Sequence, residues 1–362
     1  MIFSIIIFIF SLLVLVLIHE FGHFMLAKKF GIKVEEFGFG IPPKVFGKKI
    51  GETIYSLNLL PIGGFVRLLG EDQVDNGKAK ISPRDFRAKS VYQRIIVVIA
   101  GVSMNLLLAW IIFYGVIIYQ NFQIIYPTLD QGIFIGAVQK GMPAENAGIK
   151  IGDRVLMVEG VEVKDFDQAR NLIKAKKETP VDLYISNSDG GDKKHIFVTP
   201  EKSEDTYLIG VSFSPMAFKE YKTPVDKIFS GITYSYDLTR VTLLGFGRTI
   251  SDMFGGQFNK VSQSVAGPVG LATISNNILQ EGPKALPLYF WFVGVISLSL
   301  AIFNTLPIPA MDGGRLFFLI IEAVTKKRVR DDVEKIIHQV GFIALLALAF
   351  LITYSDISKL IH

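Results

Sequence analysis

The chain contains no cysteine and only two tryptophans in 362 residues. Without cysteine there can be no disulfide and no thiolate metal ligand, and the redox compartment cannot be read from the sequence. Charge is also scarce. Charged residues make up 20% of the chain against 50% hydrophobic ones, more apolar than a soluble protein of this length. No basic residue precedes Lys28, and only Lys359 follows the last long apolar run. The first apolar run therefore lacks the basic start of a signal peptide, and it also lacks a small-residue cleavage site. There is no internal repeat and no low-complexity tract.

The apolar residues are gathered in four blocks, at about 2–27, 91–119, 286–306 and 336–354. Each is close to the roughly 20 residues a helix needs to cross a bilayer. Between Lys28 and Arg94 stand thirteen Lys or Arg against seven Asp or Glu, whereas from Gln120 to Lys284 the counts are eighteen and nineteen. Lys326, Lys327, Arg328 and Arg330 form a second basic cluster. By the positive-inside rule, both basic segments lie in the cytoplasm and both termini outside. Four spans satisfy that arrangement. The lipid bilayer is thus a partner, and nucleic acid is not, because the basic loops abut the spans. The expected fold is a polytopic α-helical membrane protein of about four transmembrane helices with a soluble insertion.

Residues 32–70 do not read as a plain loop. FGFGIPP from Phe37 and YSLNLLPIGGFVRL from Tyr55 alternate apolar and small residues with Gly and Pro punctuation, which predicts short strands and turns. Their apolarity suits a dip into the membrane, where irregular backbone needs shielding. Residues 122–214 have the composition of one small soluble domain with half-buried strands. Residues 215–285 read as a linker whose apolar spacing suits helices lying on the membrane surface. The expected divisions are 1–121, 122–214, 215–285 and 286–362.

His19-Glu20-Phe21-Gly22-His23 carries the chemistry. Residues four apart share a helix face, so both imidazoles reach one metal, and Glu20 stands beside it as a general base. The blander reading is a polar helix end among headgroups, but three ionisable groups after an apolar run are costly there. A catalytic zinc needs a third protein ligand and one open position. Asp312, Glu322, His195, His338 and His362 are the candidates. Asp312 is preferred: it lies in NTLPIPAMDGG, where two prolines end the third span and aim it inward. Its alternative role is to cap the helix starting at Gly313, and His338 stays open as a ligand. His19 and Asp312 also fall at similar depths, roughly 25 Å down two spans running the same way.

These segments resemble the bacterial site-2 intramembrane metalloproteases, of the type that regulates envelope-stress sigma factors. The matching stretches are HEFGH at His19, FGFGIPP at Phe37, PIGGFVRLLGE at Pro61, AGVSMNLLLA at Ala100, AGPVGL at Ala266 and NTLPIPAMDGG at Asn304. The resemblance implies zinc held by His19, His23 and Asp312, Glu20 as general base, and Asn105 and Asn304 as polar support beside the site. It makes residues 32–70 a membrane-reentrant β-hairpin and residues 122–214 one PDZ-like domain, most typical in PAENAGIKIGDRVLMVEG. Val102 stands where the family usually has Pro, and there is room for one such domain where some relatives have two. The implied setting is a bacterial inner membrane. The implied substrates are transmembrane proteins, such as anti-sigma factors or remnant signal peptides. The competing classes are a non-catalytic scaffold with a structural metal and a metal transporter.

Overall fold

The computed structural model describes residues 2–71, 82–126, 132–187, 191–203, 206–214, 217–257, 261 and 265–361. The chain divides into two compact units, one of Met1–Val116 with Thr249–His362 and one of Ile117–Arg248.

In the first unit the opening apolar run forms α1 (Ile2–Lys29). It stops in a Schellman turn: Ile32 N–H donates to Ala27 O, Gly31 N–H donates to Lys28 O, and Gly31 takes φ +67°. That conformation suits a residue without Cβ, and Ile32 packs against Ala27 as the motif requires. Two strands follow, β1 (Val34–Ile50) and β2 (Thr53–Leu68).

The register shows that each strand folds through its middle. Residues 36–39 pair antiparallel with 64–67 and also run alongside 54–57, with both numbers rising together; 44–50 close on 53–58. Four short segments therefore lie side by side, with 64–67 and 44–50 at the two edges. The expected short strands and turns are there, arranged as a small sheet.

Ser90 and Gln93 then form a capping box, each side chain bonding the other's backbone N–H. It starts α2 (Val91–Tyr119). In the second unit, β3 (Gln123–Tyr126) is followed by β4 (Ile133–Val138), α3 (Pro143–Asn146), β5 (Arg154–Val158) and β6 (Val161–Glu162). Next come α4 (Phe166–Ala175), β7 (Val181–Ser186), β8 (Lys193–Val198), β9 (Glu201–Ser203), β10 (Thr206–Leu208), β11 (Val211–Ser214) and β12 (Ala217–Glu220). The main sheet has the order β11-β4-β5-β7-β8, with β6 on β5. Alternate residues of these strands, including Ile133, Ile135, Val155, Leu183 and Ile185, form one buried core under α4. Asp165 caps α4 by accepting from Gln168 N–H.

Among the described residues, those read as a linker form one long helix, α5 (Pro224–Phe254), and then α6 (Pro268–Gln280). Tyr234 of α5 is buried and donates to Ile125 O at 3.0 Å. Val225, Ile228, Phe229, Ile232 and Tyr236 remain exposed on the same helix. Three more helices complete the first unit: α7 (Leu286–Thr305), α8 (Asp312–Thr325) and α9 (Asp331–Ile361).

Among the described residues four helices are long and apolar enough to cross a membrane, at Phe3–Lys29, Val91–Tyr119, Pro283–Thr305 and Asp332–Lys359. The large apolar side chains of the last are mostly exposed, as on a helix facing lipid.

Candidate metal centre

His19 and His23 project from one face of α1, with Nε2 atoms 3.2 Å apart. Asp312, the first residue of α8, reaches between them: its Oδ2 lies 2.9 Å from His19 Nε2 and 3.2 Å from His23 Nε2. All three atoms fall within 4.8 Å of one another, and the described residues contain no other such group of His, Asp and Glu.

The chemistry of these atoms fits a cation. Asp312 Oδ2 is buried and makes no hydrogen bond of proper geometry despite its two close neighbours. His23 Nδ1 is 2.9 Å from Val97 O. A carbonyl only accepts, so Nδ1 carries the proton and Nε2 keeps its lone pair. His19 Nδ1 faces the Asn105 amide at 3.4 Å, while Asn105 Oδ1 is buried without a partner. The amide fits better turned over, with Oδ1 accepting from His19 Nδ1–H; that too frees Nε2. Two imidazole nitrogens and one carboxylate oxygen then meet at one point, a donor set suited to zinc with a position left open.

Glycine makes the approach possible. A Cβ on Gly101 would overlap the His23 ring and sit 2.9 Å from His19 Cε1, so the backbone of α2 is the floor of the site. One residue earlier on each helix, a Cβ on Gly22 would strike Ala100 O, which brings α1 and α2 into backbone contact. Ser297 of α7 donates to Asn105 O at 2.8 Å and ties the third helix to the same place.

Beyond α7, Gly313 and Gly314 let α8 fold back over the turn that carries Pro307 and Pro309. A Cβ on Gly313 would overlap Leu306 O, and one on Gly314 would lie 2.6 Å from Ile308 O. Met311 is the N-cap and Asp312 the first helical residue. The Asp312 carboxylate is therefore free of capping duty and turned to the imidazoles.

A cavity of about 220 Å³ opens at this point, lined by His19, Glu20, Asn105, Asn304 and Asp312. Gly64 of β2 borders it, since a Cβ there would stand 3.4 Å from Glu20 Cγ.

The other proposed ligands are engaged elsewhere. Glu322 forms a double hydrogen bond with buried Arg94, at 3.0 and 2.5 Å. His195 belongs to the other unit and bonds Asp182 at 2.9 Å. His338 Nδ1 accepts from Ala310 N–H at 2.8 Å. His362 lies outside the described residues. Sequence reasoning missed Val97 and Ser297, because a backbone carbonyl and a lone serine carry no motif; Gly101 lies in the AGVSMNLLLA stretch, but nothing in that stretch showed that it floors the site.

Two helices long and apolar enough to cross a membrane supply paired imidazoles and their floor, and a carboxylate from a third segment meets them to form a candidate metal centre. The chain belongs to peptidase family M50, the site-2 proteases, whose family model matches residues 7–348. A Clostridium perfringens protein provisionally named a zinc metalloprotease is 35% identical over 344 residues, covering 95% of each chain. Zinc metalloprotease RasP of Geobacillus kaustophilus is 30% identical over 423 aligned positions, again 95% of each. Regulator of sigma-W protease RasP of Bacillus subtilis is 29% identical over 424 positions, 96% of each.

Proposed function

We propose that this chain is a zinc-dependent intramembrane endopeptidase that cuts transmembrane segments of other proteins in a bacterial inner membrane. The observation that carries the reading is the convergence of His19 Nε2, His23 Nε2 and Asp312 Oδ2 on a cavity that also holds Glu20. A structural metal has no use for that extra carboxylate, nor for an open position.

Zinc bound by these three residues supplies a Lewis acid that acidifies water and polarises a carbonyl. Glu20 takes the proton of the attacking water and passes it to the leaving amine. Asn304, which lines the same cavity, is suited to donate to the developing oxyanion. Asn105 and Val97 hold the two imidazoles in the tautomer that leaves Nε2 free.

A substrate helix hides its carbonyls in internal hydrogen bonds, so it must open before attack. The 64–67 edge of the β1–β2 sheet reaches the cavity at Gly64 and is paired on one side only in the register. This supports the reading of residues 32–70 as a membrane-reentrant element that binds the opened substrate by strand addition. The clustering of basic residues supports a cytoplasmic face for this end of the spans and an extracytoplasmic one for residues 122–214. In that unit the edge strand β11 and helix α4 flank a cavity of about 540 Å³, including Ile173, Val211 and Phe213. That arrangement suits a PDZ-like domain that screens substrates. Anti-sigma factors and remnant signal peptides are the substrate classes that fit.

The test is quantitative proteomics of membrane-protein fragments in cells carrying the wild type or Glu20→Gln. The proposal expects a set of cytoplasmic-side fragments, cut within transmembrane segments, that vanishes in the variant. Identical fragment sets would overturn it.

A further inference from the structure

The turn that aims Asp312 is held from outside by the last helix. Ala310, two residues before Asp312, adopts φ +72°. This is a left-handed conformation uncommon for a residue with a Cβ, and it persists only where surroundings enforce it. Three contacts supply that enforcement. Ala310 N–H donates to His338 Nδ1 at 2.8 Å. The His338 ring lies 5.8 Å from that of Phe318, which belongs to the helix Asp312 begins. Gly341, three residues on and so on the same face of α9, sits directly on Pro309: a Cβ there would overlap Pro309 Cβ and lie 3.1 Å from its carbonyl carbon and oxygen. Most other residues along α9 are exposed. Another anchor is buried Asp356, which accepts from Gly267 and Gly270 N–H at the start of α6, so the contacts near the N-terminal end of α9 fall on the turn.

We infer that His338 is a positioning residue for the metal centre: by accepting from Ala310 N–H, with Gly341 seated on Pro309, it fixes the turn that presents Asp312 to His19 and His23. The inference rests on Asp312 being a metal ligand. His338 touches neither the metal ligands nor the cavity beside Glu20, and it acts through the turn alone. Since Nδ1 is the accepting atom, the oxygen of an asparagine, at the same distance along the side chain, can replace it.

The experiment measures zinc affinity, by competition with a chelator, in the purified full-length protein. It compares the wild type with Asp312→Ala, His338→Ala, His338→Asn, Gly341→Ala and the lipid-facing control Ile343→Ala. Circular dichroism and size-exclusion chromatography confirm that each variant is folded. His338→Ala should bind zinc roughly tenfold more weakly, His338→Asn should recover most of that loss, and Ile343→Ala should match the wild type. Gly341→Ala keeps the hydrogen-bonding side chain but displaces the helix, and should weaken zinc as His338→Ala does. Wild-type affinity in folded His338→Ala, beside loss in Asp312→Ala, would overturn this inference and leave the ligand assignment standing. Wild-type affinity in Asp312→Ala would overturn the ligand assignment itself. Equal weakening in His338→Ala and His338→Asn would make the effect one of packing and reject the hydrogen-bond role.

Discussion

Gly101 and Glu20 separate the two tasks of the site, holding the metal and moving protons. The α2 backbone at Gly101 lies so close beneath both imidazoles that a methyl group would displace the His23 ring. Gly101→Ala should therefore lower zinc affinity more than tenfold while the protein still inserts and folds, measured by metal analysis after dialysis. Glu20→Gln should keep zinc and lower the cleavage rate by about 10²- to 10⁴-fold, the usual share of a general base. The HExxH pair was legible because i, i+4 spacing on a helix leaves few alternatives, and Asp312 because prolines and glycines surround it. What the sequence could not show is which atoms hold the imidazoles: Val97 acts through its carbonyl, and Gly101 through the absence of a side chain. Nor could it show that Glu322, a candidate ligand by composition, is taken by Arg94 from 228 residues away.

At the scale of elements, that Arg94–Glu322 pair joins the start of α2 to α8 with both side chains largely buried. Removing one partner leaves a buried charge uncompensated. Glu322→Ala should thus cost on the order of 3 kcal/mol, read as a fall in the thermal unfolding midpoint in detergent. The β1–β2 sheet carries the second prediction at this scale. The alternation of residues 32–70 predicted strands but not their order, because register depends on partners distant in the chain. Residues 54–57 are flanked on both sides, whereas 64–67 form an edge. Proline placed singly at Phe65, Val66 and Arg67 should impair cleavage with a period of two, since only alternate N–H groups of an edge face outward. A helix-destabilised substrate should rescue part of the loss. Proline in 54–57 should instead damage the sheet itself. Uniform tolerance across 65–67, with zinc unchanged, would leave unwinding to the substrate alone.

Over the whole molecule, the four apolar blocks and the two basic segments were the clearest features of the sequence, since bilayer thickness and the positive-inside rule act on composition rather than on packing. The long helix α5 was less legible: its apolar residues are divided between a buried face, with Tyr234 and Leu238, and an exposed one. The absence of cysteine gives a clean test of sidedness. Single cysteines at Lys89 and Lys327 should resist a membrane-impermeant maleimide in intact cells, whereas one at Asn187 should react. The reverse labelling pattern would invert the topology and separate the basic segments from the cytoplasm.

The account turns on three atoms drawn together from opposite ends of the chain. The most direct measurement is the zinc content of the purified protein and of Asp312→Ala and His338→Ala, paired with cleavage of one transmembrane substrate in liposomes. The account predicts about one zinc per wild-type chain, cleavage abolished together with the metal in Asp312→Ala, and zinc retained, though more weakly held, in His338→Ala. A folded Asp312→Ala protein that keeps one zinc and still cuts would contradict it.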